Sequence, residues 1–597
     1  MRLLLTLFFC VFSFAVSAQS DELAESYFRN GEYEKAIQLY KPLFEANPIR
    51  QDYFKSLLTC YQQIESYGEA RKLLEEQLQR FPNQIYLYVE MGYNYQLEGS
   101  TEIAEQYFDK SLDFINTNPS YGFMIGRAFS QNHLLDYALE AYHLAKKINP
   151  NLNTEISEAQ IYGEKGNLEK MFSLYLDLLD KNENYYSTVQ RYVANFISVD
   201  KDDPTNMLFK KLLLKRAQTD PKDSWNILLS WLFMQQQDYD KALVQEKSLF
   251  NRKPGNLERI KEIGLVSYEN HDLETAREAF QFIAKNSDEV IEDFQIKLQA
   301  EIYLLHIESE LTDKGPGLEK IHKHYQELLD KYGLSSGTIE LQLAYAHFLT
   351  YDFDQPEVAL EHLKNILPLA NSAFEKGMIQ IEVADVLVFT DNFNQALILY
   401  TQIQYDLKNS LLAQEARFKV AQTSYFKGDF QWAQNQLKVL KSSTSQLIAN
   451  DALELSLKIS NNMDKDSLNE GLKKFAKAEL LSFQKKNEMA IDTLSYVLRQ
   501  FKGQNIEDDA LFKQAELYWI TGNYAAAESN FLNLLDHHPE SLFTDDTIFK
   551  LGVLYQDHLN HPEKAKAMYE RIIFEFPSSI YLVASRKAFR KLRGDDL

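Results

Sequence analysis

Residues 23–48 read LAESYFRNGEYEKAIQLYKPLFEANP, and the pattern of this stretch returns three more times before residue 150. Each copy carries an alanine 34 residues after the previous one: Ala36, Ala70, Ala104 and Ala138. Nine positions before each alanine stands an aromatic residue: Tyr27, Tyr61, Tyr95 and Phe129. A fixed period of this length predicts an array of stacked structural units rather than one compact core.

Each copy predicts two amphipathic helices joined by a tight turn. Apolar residues recur at intervals of three and four, on one face of each helix: Ala24, Tyr27 and Phe28 in the first, then Ala36, Leu39, Tyr40 and Leu43 in the second. In Asn30-Gly31-Glu32-Tyr33 the glycine ends the first helix and the polar residue after it opens the second. A single pair cannot bury its apolar face, whereas stacking on the next pair does.

These residues resemble the tetratricopeptide repeat, whose unit is a helix-turn-helix of 34 residues. The resemblance covers nearly all of the chain that follows the first 18 residues. It implies an all-α fold, a right-handed superhelical solenoid of stacked antiparallel helix pairs. It also implies a groove lined by the first helix of each pair, along which protein partners bind.

The spacing of the marker alanines changes in the second half. They lie 37 or 38 residues apart in two series: Ala359, Ala396 and Ala433, then Ala490, Ala527 and Ala565. Between the two series we expect an additional helix at about residues 448–459, followed by a polar linker at 461–466. The pattern predicts five segments: a signal peptide (1–18), an N-terminal array (19–290), an irregular helical bridge (291–340), a C-terminal array (341–580) and a capping helix with a tail (581–597).

The chain has 597 residues and a formal net charge of −23. Such acidity argues against nucleic acid as a partner, because the phosphates would be repelled. The last predicted helix is nevertheless basic and carries five cations: Arg586, Lys587, Arg590, Lys591 and Arg593. We interpret it as a solvated cap on the final repeat. The alternative is docking on an acidic protein or on lipid phosphate.

The first 18 residues predict export from the cytoplasm. Arg2 precedes the apolar run 3–16, and Val16-Ser17-Ala18 offers small residues for cleavage before Gln19. The run is too short to span a membrane, and no later segment approaches 18 apolar residues. Lipidation at Cys10 is the disfavoured alternative, because two phenylalanines precede it. We therefore expect a periplasmic protein of a bacterium with two membranes, with at most peripheral association with the envelope.

The sequence contains none of the common phosphate-loop, dinucleotide, zinc-protease or hydrolase motifs. Four histidines were weighed as metal ligands: His537, His538, His558 and His561. They fall in predicted turns and no ordered cluster joins them, so no metal is expected. The acidic pairs Asp508-Asp509 and Asp545-Asp546 stand just before predicted helices and are interpreted as caps. The sequence predicts a protein that is not an enzyme and holds no cofactor.

The groove implied by the resemblance would carry aromatic and arginine side chains, which commonly anchor protein ligands. The repeat positions place nine of them near it: Phe28, Tyr93, Phe123, Arg127, Trp231, Tyr268, Phe418, Tyr425 and Trp519. We expect about half of them to be buried against the next unit. Some family members clamp a C-terminal carboxylate with lysine and asparagine, and these are not reproduced at the equivalent positions: Asp21, Glu25, Lys55, Thr59, Val89 and Tyr93.

Two functions from different classes follow from these patterns. The first is a scaffold that binds proteins of the bacterial cell envelope along its groove. The second is a module that binds carbohydrate or peptidoglycan on the groove aromatics and regulates cell-wall machinery. No motif in the sequence identifies the partner, distinguishes a peptide from a folded ligand or gives the oligomeric state.

Overall fold

The computed structural model describes residues 21–287, 294–312, 315–441, 446–463 and 469–594. Over these residues the chain forms 32 α-helices and no β-strand. The expected signal peptide, the cleavage site before Gln19 and Cys10 lie outside the described residues. So do parts of the expected bridge, linker and tail, at residues 291–293, 313–314, 464–466 and 595–597.

The helices divide between two compact units, which comprise residues 1–197 with 203–228, and residues 198–202 with 229–597. The first unit contains α1 (residues 21–29), α2 (Tyr33–Ala46), α3 (Gln51–Gln63), α4 (Tyr67–Arg80), α5 (Tyr86–Leu97), α6 (Thr101–Thr117), α7 (Tyr121–Gln131), α8 (Leu135–Ile148), α9 (Glu155–Glu164), α10 (Leu168–Lys181), α11 (Tyr186–Ala194) and α12 (Pro204–Thr219). The division falls within α13 (Asp223–Gln235). The segments predicted from the repeat period divide the chain differently, and they stay a prediction.

The second unit continues with nineteen helices. They are α14 (Tyr239–Arg252), α15 (Glu258–Glu269), α16 (Leu273–Asn286), α17 (Phe294–Glu310), α18 (Pro316–Tyr332), α19 (Ile339–Tyr351), α20 (Pro356–Ile366), α21 (Ala373–Phe389), α22 (Phe393–Asp406), α23 (Leu411–Lys427), α24 (Phe430–Leu440), α25 (Gln446–Asn462), α26 (Glu470–Phe483), α27 (Asn487–Gln500), α28 (Ile506–Ile520), α29 (Tyr524–His537), α30 (Thr544–Val553), α31 (Pro562–Glu575) and α32 (Leu582–Arg593).

Within each unit, consecutive helices pack side by side as antiparallel pairs, and each pair stacks on the next. The marker alanines explain the close approach of the two helices in a pair, because all ten are buried with no larger side chain to hold the backbones apart. The all-α fold of stacked antiparallel helix pairs is therefore confirmed. The additional helix is also confirmed as α25, which runs slightly beyond the predicted residues 448–459 at both ends.

The turns between paired helices follow the predicted chemistry only in part. Gly31, Gly428 and Gly522 adopt the left-handed conformation, with φ of 74°, 87° and 77°. After Gly522, the side chain of Asn523 caps the next helix by accepting a hydrogen bond from the backbone N–H of Ala526. Glu32 and Asp429 make no such side-chain cap, and their helices start on backbone hydrogen bonds of the turn.

The chain ends in α32, which packs on α31 as the sequence predicts for a capping helix. Its inner face contributes Ala588, Phe589 and Leu592 to the last hydrophobic cluster, and four of its five cations point outward into solvent. None of the helices in the described part of the chain has both the length and the apolar character needed to cross a bilayer.

Candidate functional site

The first unit has an open groove of about 1420 Å³, here called the N-terminal groove. Most of its lining comes from five helices, α3, α5, α7, α9 and α11, each of which is the first helix of its pair. Because the first helices of stacked pairs lie side by side, their outward faces form one continuous surface. The groove therefore runs across five consecutive repeats.

Two of the predicted binding residues meet in this groove. Phe123 and Arg127 stand one helical turn apart on α7, and both line the cavity. The Phe123 ring rests on Tyr142, with ring centroids 6.2 Å apart, and keeps part of its surface exposed. The Arg127 side chain is exposed and forms no ion pair with any described residue. Beside them, Met124 is 38% exposed and adds an apolar contact surface.

Charged groups along the N-terminal groove are mixed in sign. Lys55 and Arg127 contribute positive charge, and Glu164 contributes negative charge. On α5, burial raises the pKa of the Glu90 carboxyl to about 7, and the charge of Lys55 acts in the opposite direction. The groove is thus a partly apolar channel with an unpaired guanidinium near its centre, suited to extended or helical protein segments.

The second unit holds another groove of about 930 Å³, here called the C-terminal groove. It is bordered by α25, α28, α30, the turn at 537–543 and Tyr581. A smaller cavity of about 390 Å³ adjoins it and shares Glu454 and Lys458 as lining residues. The two cavities together are lined by α23, α26, α28 and α30, which are first helices of their pairs, and by the additional helix α25.

Three members of the acidic pairs line this groove, Asp508, Asp509 and Asp546, and their structural role differs from the predicted one. They occupy the first turns of α28 and α30 rather than the positions before them. Their side chains bond to neighbouring segments instead of capping a helix: Asp508 accepts from Ser541 Oγ at 2.8 Å, Asp509 from Asn462 Nδ2 at 2.8 Å and Asp546 from Tyr581 Oη at 2.6 Å. The cap interpretation was therefore incomplete.

Burial raises the pKa of two of these carboxylates, Asp509 and Asp546. Burial, and to a smaller extent the charge of Asp508, raises the pKa of Asp509 to about 7, against the opposing effect of the Asn462 hydrogen bond. Burial also raises the pKa of Asp546, with a further contribution from the charge of Asp545. The neutral donors beside Asp509 and Asp546 satisfy hydrogen bonds without supplying counter-charge.

The remaining predicted residues are dispersed. Phe418 and Tyr425 line the smaller cavity beside the C-terminal groove. Tyr268 lines a separate cavity of about 450 Å³ and donates a hydrogen bond to Glu310. Four others line none of these cavities: Phe28, Tyr93, Trp231 and Trp519. Of these, Phe28 packs edge-on against Tyr33 and Tyr40, and Trp519 packs edge-on against His558.

Tyr425 does not act as an exposed groove residue. It is 1% exposed, and its hydroxyl donates to Glu479 Oε2 at 2.6 Å. Lys458 of α25 binds the other oxygen of the same carboxylate at 2.9 Å. The additional helix α25 therefore ties this tyrosine into a buried network, which places Tyr425 among the buried members of the nine candidates.

Residues of the C-terminal groove were missed because their partners lie far apart in sequence. Asn462 and Asp509 are separated by 47 positions, and Tyr581 and Asp546 by 35. The acidic doublets themselves were the only sequence signal. Among the described residues, no group of three or more His, Cys, Asp and Glu side chains is arranged to hold a metal ion. His558, considered as a ligand, instead stacks on Tyr524 with centroids 4.2 Å apart.

Comparison with known proteins finds family matches near both ends of the chain. A family model described as "Tetratricopeptide repeat" matches residues 22–85, and a second model with the same description matches residues 546–579. The chain therefore contains segments that match the tetratricopeptide repeat. Proteins built from this repeat are in general non-catalytic scaffolds that bind other proteins.

One relative is the TPR repeat-containing protein MJ1428 of Methanocaldococcus jannaschii, 24% identical over 436 residues, which cover 68% of this chain and 74% of that protein. Among solved structures, one similar chain comes from Naa15/Naa10 bound to HypK-THB, at 12% identity, coverage of 97% and 96%, and a TM-score of 0.30. Another comes from the APC/C hetero-tetramer Cut9-Hcn1, at 15% identity, coverage of 91% and 96%, and a TM-score of 0.25.

Proposed function

We propose that this tetratricopeptide-repeat chain is an exported scaffold that binds segments of cell-envelope proteins along its grooves. The observation that carries the proposal is the N-terminal groove, where Phe123, Met124 and the unpaired Arg127 stand together on one exposed helix face. Aromatic, methionine and arginine side chains are enriched at protein interfaces, and charged residues that already have partners contribute less.

The shape of the groove favours a protein segment over a small molecule. It crosses five first helices and is open along its length, so it presents separate contact points rather than one enclosed pocket. Two of the contact helices are fixed by their own packing: Gly126 of α7 lies against Tyr142, and Ala159 of α9 is fully buried. A preformed surface of this kind binds without paying a large ordering cost.

Export and the envelope location rest on the first 18 residues. The basic residue, apolar run and small residues before Gln19 have the arrangement of a secretory signal. The negative net charge of the chain agrees with a protein partner rather than nucleic acid. That the partners are envelope proteins is part of the proposal, and a capture experiment would identify them.

The test is capture of partners by reversible crosslinking in intact cells, comparing the wild-type protein with a Phe123→Ala, Arg127→Ala variant. A matched control, Ile103→Ala with Arg80→Ala, removes one exposed apolar and one exposed arginine side chain that do not line the groove. The proposal expects a defined set of envelope proteins that the groove variant loses and the control retains. Retention of the same set by both variants would place the binding surface elsewhere.

Glycan binding is the second candidate, and one observation favours it. The partly exposed ring of Tyr351 and the carboxylate of Asp352 line the same cavity as Tyr268. Aromatic faces beside planar polar groups suit a sugar ring. Binding of purified peptidoglycan fragments that is lost in Tyr268→Ala would support this candidate, and failure of the wild-type protein to bind them would remove it.

A further inference from the structure

The C-terminal groove has a surplus of negative charge. Five carboxylates line it in addition to the buried Asp509: Glu454, Asp508, Glu516, Glu540 and Asp546. Only two lysines line the same surface, Lys458 and Lys550. The N-terminal groove differs, because charges of both signs line it: Lys55, Arg127 and Glu164.

The two lysines are already engaged. Lys458 Nζ lies 2.9 Å from Glu479 Oε1, and Lys550 Nζ lies 3.3 Å from Glu516 Oε1. For Asp508, Asp509 and Asp546, the described part of the chain supplies neutral hydrogen-bond donors and no ion pair. Among the described residues, these three carboxylates therefore face the groove without a direct ion pair, and only the more distant charges of Lys458 and Lys550 act on Asp509 and Asp546.

Asp509 is the most informative of the three. It is only 8% exposed, yet it lines the groove, and its carboxylate accepts a hydrogen bond from a neutral group, the amide of Asn462. The charge of Lys458 acts on this carboxylate, but Lys458 is already bound to Glu479. Burying a carboxylate away from a direct counter-charge is unfavourable, and a cation placed in the groove would relieve this cost. This observation is independent of the number of acidic residues nearby, because it concerns one desolvated side chain and its partner.

The groove also has rigid apolar surfaces. The rings of Phe512 and Phe543 stack with centroids 4.5 Å apart and planes 14° apart, and Tyr581 stacks on Phe549 at 4.3 Å. Leu542 on the rim is 66% exposed. Arginine and lysine match such a surface, because their stems and the guanidinium plane pack on aromatic rings while their charged ends reach carboxylates.

We propose that the C-terminal groove binds a basic, arginine- or lysine-containing extended segment of a partner protein. The carboxylates of Asp508, Asp509 and Asp546 receive the cationic groups, and the Phe512–Phe543 stack and Leu542 receive the intervening apolar side chains. The inference rests on the proposed scaffold function and names the partner chemistry of one of its two grooves.

The test uses three short fluorescent peptides with the mature, full-length protein. The first contains arginine, serine and leucine, the second carries uncharged citrulline at each arginine, and the third carries glutamate there. We expect the arginine peptide to bind at least about tenfold more tightly than the citrulline peptide, with affinity falling as salt is raised. The glutamate peptide should not bind. Equal binding of the arginine and citrulline peptides would overturn the inference.

Variants locate the binding surface. Asp508→Asn, Asp509→Asn and Asp546→Asn together keep the size of the side chains and should weaken the arginine peptide by about tenfold or more. The matched control, Glu488→Gln with Asp492→Asn, removes two exposed acids of α27 that do not line the groove, and should bind normally. If the triple variant fails to fold by circular dichroism, Asp508→Asn alone with Leu542→Ser gives a milder test, with the same direction of change expected.

The outcome is distinguishable from failure of the scaffold proposal. The protein could bind the arginine and citrulline peptides equally while partner capture still depends on Phe123 and Arg127. That combination would overturn only this inference and leave the scaffold proposal standing. The arginine peptide could instead bind normally to the Asp508, Asp509, Asp546 variant and fail to bind to Phe123→Ala, Arg127→Ala. That result would assign the peptide to the N-terminal groove and would also overturn this inference.

Discussion

The ring of Tyr142 on α8 fills the space beside Gly126 on α7, so that a β-carbon on this glycine would lie 2.6 Å from the ring. The same relationship recurs along the chain, with a glycine in a first helix and a bulky ring in the second: Gly92 with Phe108, Gly264 with Phe280 and Gly552 with Tyr569. In each pair, the ring of the second helix occupies the space that a side chain on the glycine would need, so the backbones of the two helices can lie close together.

Gly126→Ala should therefore destabilise the first unit although alanine favours helices. We expect a loss of about 1–3 kcal/mol from overpacking, because Tyr142 is itself buried and has little room to move. Hydrogen exchange of α7 and α8 measures the effect locally, as a repeat array need not unfold in one step. Gly68→Ala is the control: it is exposed, has nothing within 4 Å of the new β-carbon, and should be neutral or stabilising by up to about 1 kcal/mol. Equal effects at both sites would contradict this account of the glycine.

Tyr425→Phe should lower stability without changing peptide binding. Removing the hydroxyl takes away the hydrogen bond to Glu479, whose carboxylate keeps its ion pair with Lys458, so the expected cost is about 1 kcal/mol. The measurement pairs hydrogen exchange of α23 with the arginine-peptide affinity. A loss of affinity with unchanged protection would show that Tyr425 is a binding residue after all.

Binding of the arginine peptide should release protons near neutral pH. The pKa of Asp509 is about 7 in the free protein because the group is buried, so part of it is protonated at pH 6.5. An arriving cation favours the ionised form and lowers this pKa, while the charges of Asp508, Glu479 and Lys458 remain around it. The release should be largest at about pH 6–7 and small at pH 8, where Asp509 is already ionised.

Calorimetry in two buffers of different ionisation enthalpy measures this release. Asp509→Asn should remove most of it while leaving the Asn462 side chain with a hydrogen-bonding neighbour. Proton uptake, or release that is the same in wild type and Asp509→Asn, would show that another group is titrating.

Export predicts a processed N-terminus. Mass spectrometry of the protein purified from cells should find Gln19 as the first residue, and replacing Leu4 and Leu5 by lysine should keep the protein unprocessed by interrupting the apolar run. The same replacements at Leu334 and Leu411, which are exposed and lie outside the run, should leave processing unchanged. A protein that keeps Met1 would contradict the expectation of a cleaved signal.

The helix pairs could be predicted from sequence because their determinants are local and repeated. A buried alanine such as Ala104, and an aromatic nine positions earlier, report on packing within one pair, and this packing recurs at a fixed period. The same logic placed Phe123 and Arg127 in the N-terminal groove, since the first four repeats hold their register.

The C-terminal groove could not be predicted in this way. Its shape depends on α25, which breaks the repeat and brings Lys458 and Asn462 to residues of α26 and α28. The same insertion buries Tyr425, whose repeat position alone suggested exposure. Burial of Asp509 is a property of these non-repeating contacts, so its perturbed pKa has no signature in the sequence.

The central claim is that partners bind along the first-helix face of the repeats. The most direct measurement is site-specific photocrosslinking in living cells, with the photoreactive residue at Met124 in the N-terminal groove or at Glu140, which is exposed on α8 of the same repeat and does not line the groove. The account predicts discrete protein adducts from position 124 that disappear when Arg127 is replaced by alanine, and none from position 140. Equal adducts from both positions, or none from position 124, would contradict it.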